Sequence, residues 1–343
     1  MKRSRVGWGI VLLLVVAVLV FLLHGRIHFD VRSFAAEIRH VSIPHIVTGV
    51  ALIYGCFWLR AMRWGLFLKP QKPVAAKDVL GSQFIGFTAV GLFGRLADLT
   101  RPYLVAKRTG LSVSSQVAVY TVERMFDLGA AALIFSTALA FMPKTPPMPH
   151  AEVIARLGRN SLIGTLALAI FAIALRVTGE AVARWAQVVL GAISAKLGAS
   201  IAEKIRGFRD GLRVVTSVRE FAYAVVLSLA MWGGIAMAYV QSVHAFVDVP
   251  QLAHMSFAQT MLLMASSIAA SVVQLPVIGW FSQIGVLATA MVLLFGVETA
   301  PATACGAAIL AVCNLSVIPV GLIYARFEQV SLKTVAEESS QAG

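Results

Sequence analysis

The chain has 343 residues, 59% of them hydrophobic and only 13% charged, and its mean hydropathy is +0.83. Water-soluble domains carry about 25% charged residues, so this composition excludes a soluble globular fold and makes lipid the main solvent. The net charge of +13 gives no reason to expect nucleic acid, because no basic, aromatic-laced soluble surface accompanies it; Lys and Arg collect instead in loops that face anionic headgroups.

Taken in chain order, "MKRSR" opens an apolar run that ends near Leu23 and is followed by "HGRIHFD". No small-residue cleavage site follows, so the run reads as a retained first membrane helix, roughly 7–23. In "DVRSFAAEIRH" the residues Val31, Phe34, Ala35 and Ile38 keep helical spacing behind Asp30, as an interfacial helix does. A spanning helix needs about 20 mostly apolar residues. Further candidates lie at roughly 45–68, 79–93, 113–142, 161–177, 221–247, 257–275, 280–297 and 302–325. The segments 79–93, 257–275 and 280–297 are short or broken by Pro and Gly, and are read as entering the membrane and turning back. The loop "PKTPPMPH" (143–150) is Pro-rich. The segment 180–215 mixes Trp185, Val189, Leu190, Ile193 and Leu197 with basic residues, as a membrane-surface helix would. The sum is an all-α polytopic membrane protein, with about six full crossings plus short broken or re-entrant helices. Residues 1–327 form one domain, and 328–343 a disordered tail. Lys2, Arg3 and Arg5 hold the amino terminus in the cytoplasm, and Lys69, Lys72 and Lys77 mark the cytoplasmic end of the second helix.

Charge inside the membrane is expensive and marks function. "GRLADLTRPYLVAKRTG" (94–110) brings Arg95, Asp98 and Arg101 between two apolar runs, and "VERMFD" brings Glu123, Arg124 and Asp127 into the second. Glu123 and Asp127 lie about 15–20 Å into a helix that begins at Val113. Two acids against one base leave a surplus acid, for which Arg95 and Arg101 are the evident donors. The cluster is either an ion-pair network that only locks helices together or a polar cavity reaching toward the midplane; the second is the working reading. Arg101 precedes Pro102, which is suited to start a helix, and a helix amino terminus beside guanidinium groups suits a phosphate. A second break, "VVQLPVIGWFSQIG", carries Pro276 and Gly279, with Gln274, Ser282 and Gln283 as neutral polar contacts; a plain proline kink is the bland alternative. "WLRAMRWGLFLKP" (58–70) reads as an interfacial belt of Trp58, Arg60, Arg63 and Trp64, with Arg63 also able to point inward to a lipid phosphate. Cys56, Cys305 and Cys313 read as buried packing residues, the histidines show no metal-ligand spacing, and no cofactor motif is present.

These elements resemble the transmembrane domain of lysylphosphatidylglycerol synthases, also called flippase-like membrane proteins. The resemblance rests on "LRAMRW" (59–64), "GRLADLTRPYLVAKRTG", "VERMFDL", "LPVIGWFSQIG" and "LFGVETAPATACGAAIL" in order, and runs from the first helix to about Phe327. It implies a lipid-handling protein of a bacterial inner membrane. Arg95, Asp98 and Arg101 match the family's charged turn, Glu123, Arg124 and Asp127 its charged helix, and Pro276 and Gly279 its Pro/Gly-rich break. The chain departs from the family at Gln283, where an acid is common, and at Trp280 and Phe281, which interrupt the Gly-rich run. No soluble aminoacyl-transfer domain is seen, so synthesis of lysyl-lipid is not expected. The expected activity is translocation of an anionic or phosphate-bearing membrane lipid through a groove lined by these residues and Arg63. A membrane-embedded headgroup or glycan transferase, or an accessory subunit of one, is the alternative, and a lipid-synthesising enzyme is a candidate partner.

Overall fold

The computed structural model describes residues 36–142, 151–191, 194, 199, 217–270 and 278–330. The expected first helix, the loop 143–150, most of 192–216, Gln274 and Pro276 of the second break, and the tail from 331 lie outside them. Among the described residues every regular element is helical, and four stretches are long and apolar enough to cross a membrane: Ile43–Leu68, Glu152–Ile170, Val218–His244 and Thr299–Phe327. The chain is an all-α, multi-pass membrane protein.

Helix α1 (Ile43–Leu68) starts with Pro44 in its first turn, where a missing N–H costs nothing. Its 26 residues extend about 39 Å. The end of α1 lies on one face of the molecule, the first face, together with the ends of several other helices. There Lys69 pairs with Glu220 at 2.7 Å, Lys72 Nζ donates to the Thr109 carbonyl at 2.8 Å, and Ser115 Oγ donates to Gln71 at 2.5 Å.

Those contacts fix the path of the next three helices. Helix α2 (Ala76–Phe93) leaves the first face, a 3-10 turn follows at Gly94–Ala97, and α3 (Thr100–Thr109) returns. With φ of +73° at Gly94 and +71° at Gly110, glycine permits the reversal and the stop after α3. The pair is a re-entrant hairpin, with arms of about 27 and 15 Å. Helix α4 (Val113–Ala140) starts again at the first face, capped by Ser112, whose hydroxyl accepts from the Ser115 N–H.

Helix α5 (Ala151–Gly191) corrects the sequence reading. A crossing at 161–177 and a separate surface helix from 180 are instead one helix of 41 residues, about 61 Å and twice the hydrocarbon thickness. No proline falls between 151 and 191, and a lone glycine costs only about 1 kcal/mol in a helix. The helix runs on through Arg184 to Gly191.

Helix α6 (Val218–His244), capped by Ser217, packs along α1 in the most extensive helix contact among the described residues. It ends at the second face, where the Ser42 N–H donates to the Ala245 carbonyl at 2.8 Å. His244 contacts the Met255 carbonyl there, so α7 (Phe257–Ala270) also begins at the second face. Helix α8 (Ile278–Phe295) meets α7 at depth through Gln283 and Ser267, and runs back antiparallel to α9 (Thr299–Leu310), whose Gly306 faces Ile284. Thus α7 and α8 make a second re-entrant hairpin, open to the second face. The crossing expected at 302–325 is real but interrupted: α9 passes through a π turn at Ala311–Leu315 into α10 (Val317–Phe327). At its end Glu328 pairs with Arg108 on the first face. Leu252, Met261, Leu263, Met264, Leu287 and Met291 fill the core around the second hairpin.

Candidate functional site

Two acids on one face of α4 organise the site. Glu123 and Asp127 are four residues apart and so stack one turn above the other, both buried. On α1, Arg60 and Arg63 are three apart and project at them. Arg63 Nη2 lies 2.6 Å from Asp127 Oδ1 and 3.0 Å from Glu123 Oε1, while Nη1 donates to Ser228 Oγ of α6 at 2.6 Å. Arg60 Nη1 lies 3.2 Å from Glu123 Oε1 and 3.6 Å from Asp127 Oδ2. The belt reading of Arg60, Arg63 and Trp64 is corrected: all three are buried, and only Trp58 faces outward. Trp64 Nε1 donates to Gln116 at 3.2 Å.

The first hairpin delivers a third cation. Arg101 stands in the first turn of α3, and its Nη1 reaches Glu123 Oε2 at 3.1 Å and Gln83 Oε1 of α2 at 3.1 Å. Its guanidinium lies over the rings of Phe87, Tyr120 and Trp64 at 4.8, 5.1 and 5.3 Å. Such contacts suit the planar, weakly hydrated guanidinium better than an ammonium. Leu99 offers no side-chain cap to α3, so the partial positive charge of that helix end adds to the guanidinium. Gly86 makes room: a Cβ there would overlap the Arg101 stem.

Arg124 forms the rim. Its side chain is 38% exposed, against 1% for Glu123, and its Nη2 lies 2.8 Å from Asp127 Oδ2. Asp98, half-buried before α3, is close enough to Arg124 to act on it electrostatically. Trp232 of α6 completes the wall, its Nε1 donating to Asp127 at 3.2 Å.

Charge does not balance in this cluster. Among the described residues four guanidiniums, those of Arg60, Arg63, Arg101 and, at the rim, Arg124, approach two buried carboxylates, and Asp98 acts on Arg124 only from farther away. The sequence reading counted a surplus acid; the fold reverses the sign by adding two arginines from α1. Donors outnumber acceptors among the buried atoms that make no hydrogen bond within the described residues, although Glu123 Oε2 and Asp127 Oδ2 are among those atoms too. Arg63 Nε, Gln83 Nε2 and the Thr100 hydroxyl are buried with no hydrogen-bond partner among the described residues. A buried cationic surplus with spare donors is chemically suited to one anionic, oxygen-rich group.

The remaining sequence candidates sit elsewhere. Arg95 falls in the 3-10 turn with its side chain outside the described residues, and Pro276 lies wholly outside them. Gly279 is buried in the first turn of α8. Gln283 does not join the charged cluster. It forms a neutral one with Ser267, which also accepts from Tyr239, and with Asn314 in the π turn. Sequence reasoning missed Gln83, Ser228, Trp232, Tyr239, Ser267 and Asn314. Single polar side chains in apolar runs are common, and only the shared stripe of Ser228, Trp232 and Tyr239 on α6 was there to be read.

No curated protein and no solved structure matches the chain. Residues 8–323 match the model of the lysylphosphatidylglycerol synthase transmembrane region, and the chain belongs to that family of membrane proteins, tied to lipid modification or translocation.

Proposed function

We propose that the protein moves an anionic, phosphate-bearing lipid between leaflets, the headgroup passing through the charged cluster while the tails stay in the bilayer. The observation that carries this reading is the unmatched guanidinium among Arg60, Arg63 and Arg101, set against only two carboxylates. An inert helix lock would be expected to be neutral, because an uncompensated buried charge costs several kcal/mol. A phosphate between Arg63 and Arg101 restores neutrality and takes up the spare donors. Glu123 and Asp127 then hold the guanidiniums in register and receive them back when the headgroup leaves. Arg124 and Asp98 meet the headgroup first, at the rim.

The membrane is read as a bacterial cytoplasmic membrane with the first face inward, because Lys69, Lys72, Lys77, Lys107 and Arg108 gather there. This face would receive lipid from a lipid-synthesising enzyme.

The test uses purified full-length protein in liposomes carrying tail-labelled lipids with anionic, zwitterionic and uncharged headgroups. Wild type is expected to move the anionic lipid fastest, and Arg63→Gln to slow it about tenfold or more, the equivalent of roughly 1.4 kcal/mol. Equal rates in wild type and Arg63→Gln would refute the proposal. Recovery of a chemically altered headgroup would establish the transferase alternative instead.

A further inference from the structure

Glu123 Oε1 accepts from three guanidiniums at once: Arg63 Nη2 at 3.0 Å, and Arg60 Nη1 and Arg101 Nη1 each at 3.2 Å. A carboxylate oxygen offers about two lone-pair sites, so the third donor has no site of its own. Arg124 Nη2 stands a little farther from the same atom, at 3.5 Å. Cations from α1, α3 and α4 thus crowd around one oxygen. Spare donors lie on the same groups: Arg63 Nε, and Gln83 Nε2 on the amide whose oxygen accepts from Arg101. Both residues are buried. Glu123 Oε2 and Asp127 Oδ2 also lack a hydrogen bond within the described residues, but each is ion-paired, to Arg101 at 3.1 Å and to Arg124 at 2.8 Å.

The excess of charge is larger than a single negative charge removes. Arg60, Arg63 and Arg101 outnumber Glu123 and Asp127 by one, and Arg124, paired to the same two acids, raises the excess to two. Asp98 is half-buried and forms no ion pair with Arg124 among the described residues, so much of its charge is left to solvent. Arg124 also stands on the outer stripe of α4, with exposed Thr121 a turn before it and exposed Leu128 a turn after. Leu128 is 72% exposed. An apolar path suited to acyl tails therefore runs beside the guanidinium at the rim.

We infer that the charged cluster selects a lipid phosphomonoester, a dianion, over a phosphodiester. The inference rests on the translocation reading and names its substrate class. A phosphomonoester carries roughly −1.5 to −2 charge near pH 7 and presents three strong acceptor oxygens. A diester has a single negative charge and one free oxygen fewer. With the monoester bound, Arg60, Arg63 and Arg101 each gain an oxygen of their own, and the crowding at Glu123 Oε1 is relieved. Arg63 Nε and Gln83 Nε2 gain acceptors as well. The second negative charge offsets Arg124, which a diester leaves uncompensated.

Two lipids with the same tails separate the outcomes: phosphatidic acid, a monoester, and phosphatidylmethanol, a diester that differs from it by one methyl group. Native mass spectrometry of the full-length protein mixed with both at pH 8, above the second phosphate pKa of about 6, is expected to show phosphatidic acid retained about tenfold over phosphatidylmethanol. Arg60→Gln and Arg124→Gln each reduce the charge excess to one, and each should bring the ratio toward one; Arg124, at the rim, is the substitution the fold tolerates more easily. Equal retention of the two lipids by wild type, or an unchanged ratio in either folded variant, overturns the dianion assignment. Displacement of retained phosphatidic acid by an equal concentration of inorganic phosphate assigns the site to free phosphate and overturns the lipid class. Movement of both labelled lipids in liposomes with equal retention leaves translocation standing without the dianion. A tenfold preference with no movement of either lipid overturns translocation and leaves the ligand class standing.

Discussion

Glu123→Gln is the sharpest probe of the charged cluster, because Glu123 is the acid that all four arginines approach. Arg63, Arg101 and Arg60 lie within 3.0, 3.1 and 3.2 Å of its carboxylate oxygens, and Arg124 within 3.5 Å. At an effective dielectric near 20, each of the three shorter contacts is worth about 5 kcal/mol of attraction. Desolvation offsets most of this, and removing one partner of a buried ion pair costs about 3–5 kcal/mol net. Glutamine keeps the shape and one carbonyl acceptor but leaves three buried guanidiniums facing Asp127 alone. The expected result is a loss of about 3–5 kcal/mol in the unfolding free energy of detergent-purified protein, measured by denaturant titration with intrinsic tryptophan fluorescence. Arg101→Gln in the same background should recover part of it, with a coupling of about 1–3 kcal/mol in the double-mutant cycle. A Glu123→Gln change below about 0.5 kcal/mol, or strictly additive single changes, would refute the geometry from which the anionic site is built.

Two substitutions test the packing that places those groups. Gly86→Ala puts a methyl into the Arg101 stem, so Arg101 should leave Glu123; a loss of about 1–3 kcal/mol is expected, and retention of anionic lipid by mass spectrometry should fall, as is also expected for Arg101→Gln. Gly321→Ala would set its Cβ 2.6 Å from the Phe84 carbonyl and 2.7 Å from the Thr88 Cβ. It should destabilise by a similar amount, read from the same fluorescence titration, by driving α10 away from α2.

Hydropathy carries the long crossings well, because a buried span and its apolar run have the same length. The ends read for α1 and α6 fall within about three residues of those observed. The first hairpin was legible in part: 79–93 is short for a crossing and Pro102 is suited to start a helix, but the return arm Thr100–Thr109 carried too much charge to be read as one. Helix α5 was not: basic residues on a helix that has outrun the bilayer have the same composition as a separate surface helix. Arg60 and Arg63 failed for a related reason. A Trp/Arg cluster near a helix end describes an interfacial belt and an inward ion-pair donor equally well, and only the acids of α4 decide between them. Asn314 had no signal at all, because a π turn depends on backbone geometry that the run "AVCNL" does not announce.

The rings around Arg101 bear on how a headgroup could be released. Phe87, Tyr120 and Trp64 present flat, weakly polar surfaces to a cation that a lysine ammonium in the same place would want to keep wet. The Arg101 guanidinium is already out of water, so the proposed exchange of a carboxylate for a phosphate at its edge would require little further dehydration. In the proposed cycle the aromatic walls would thereby lower the barrier to swapping partners and hold the cation in position while its counter-ion changes.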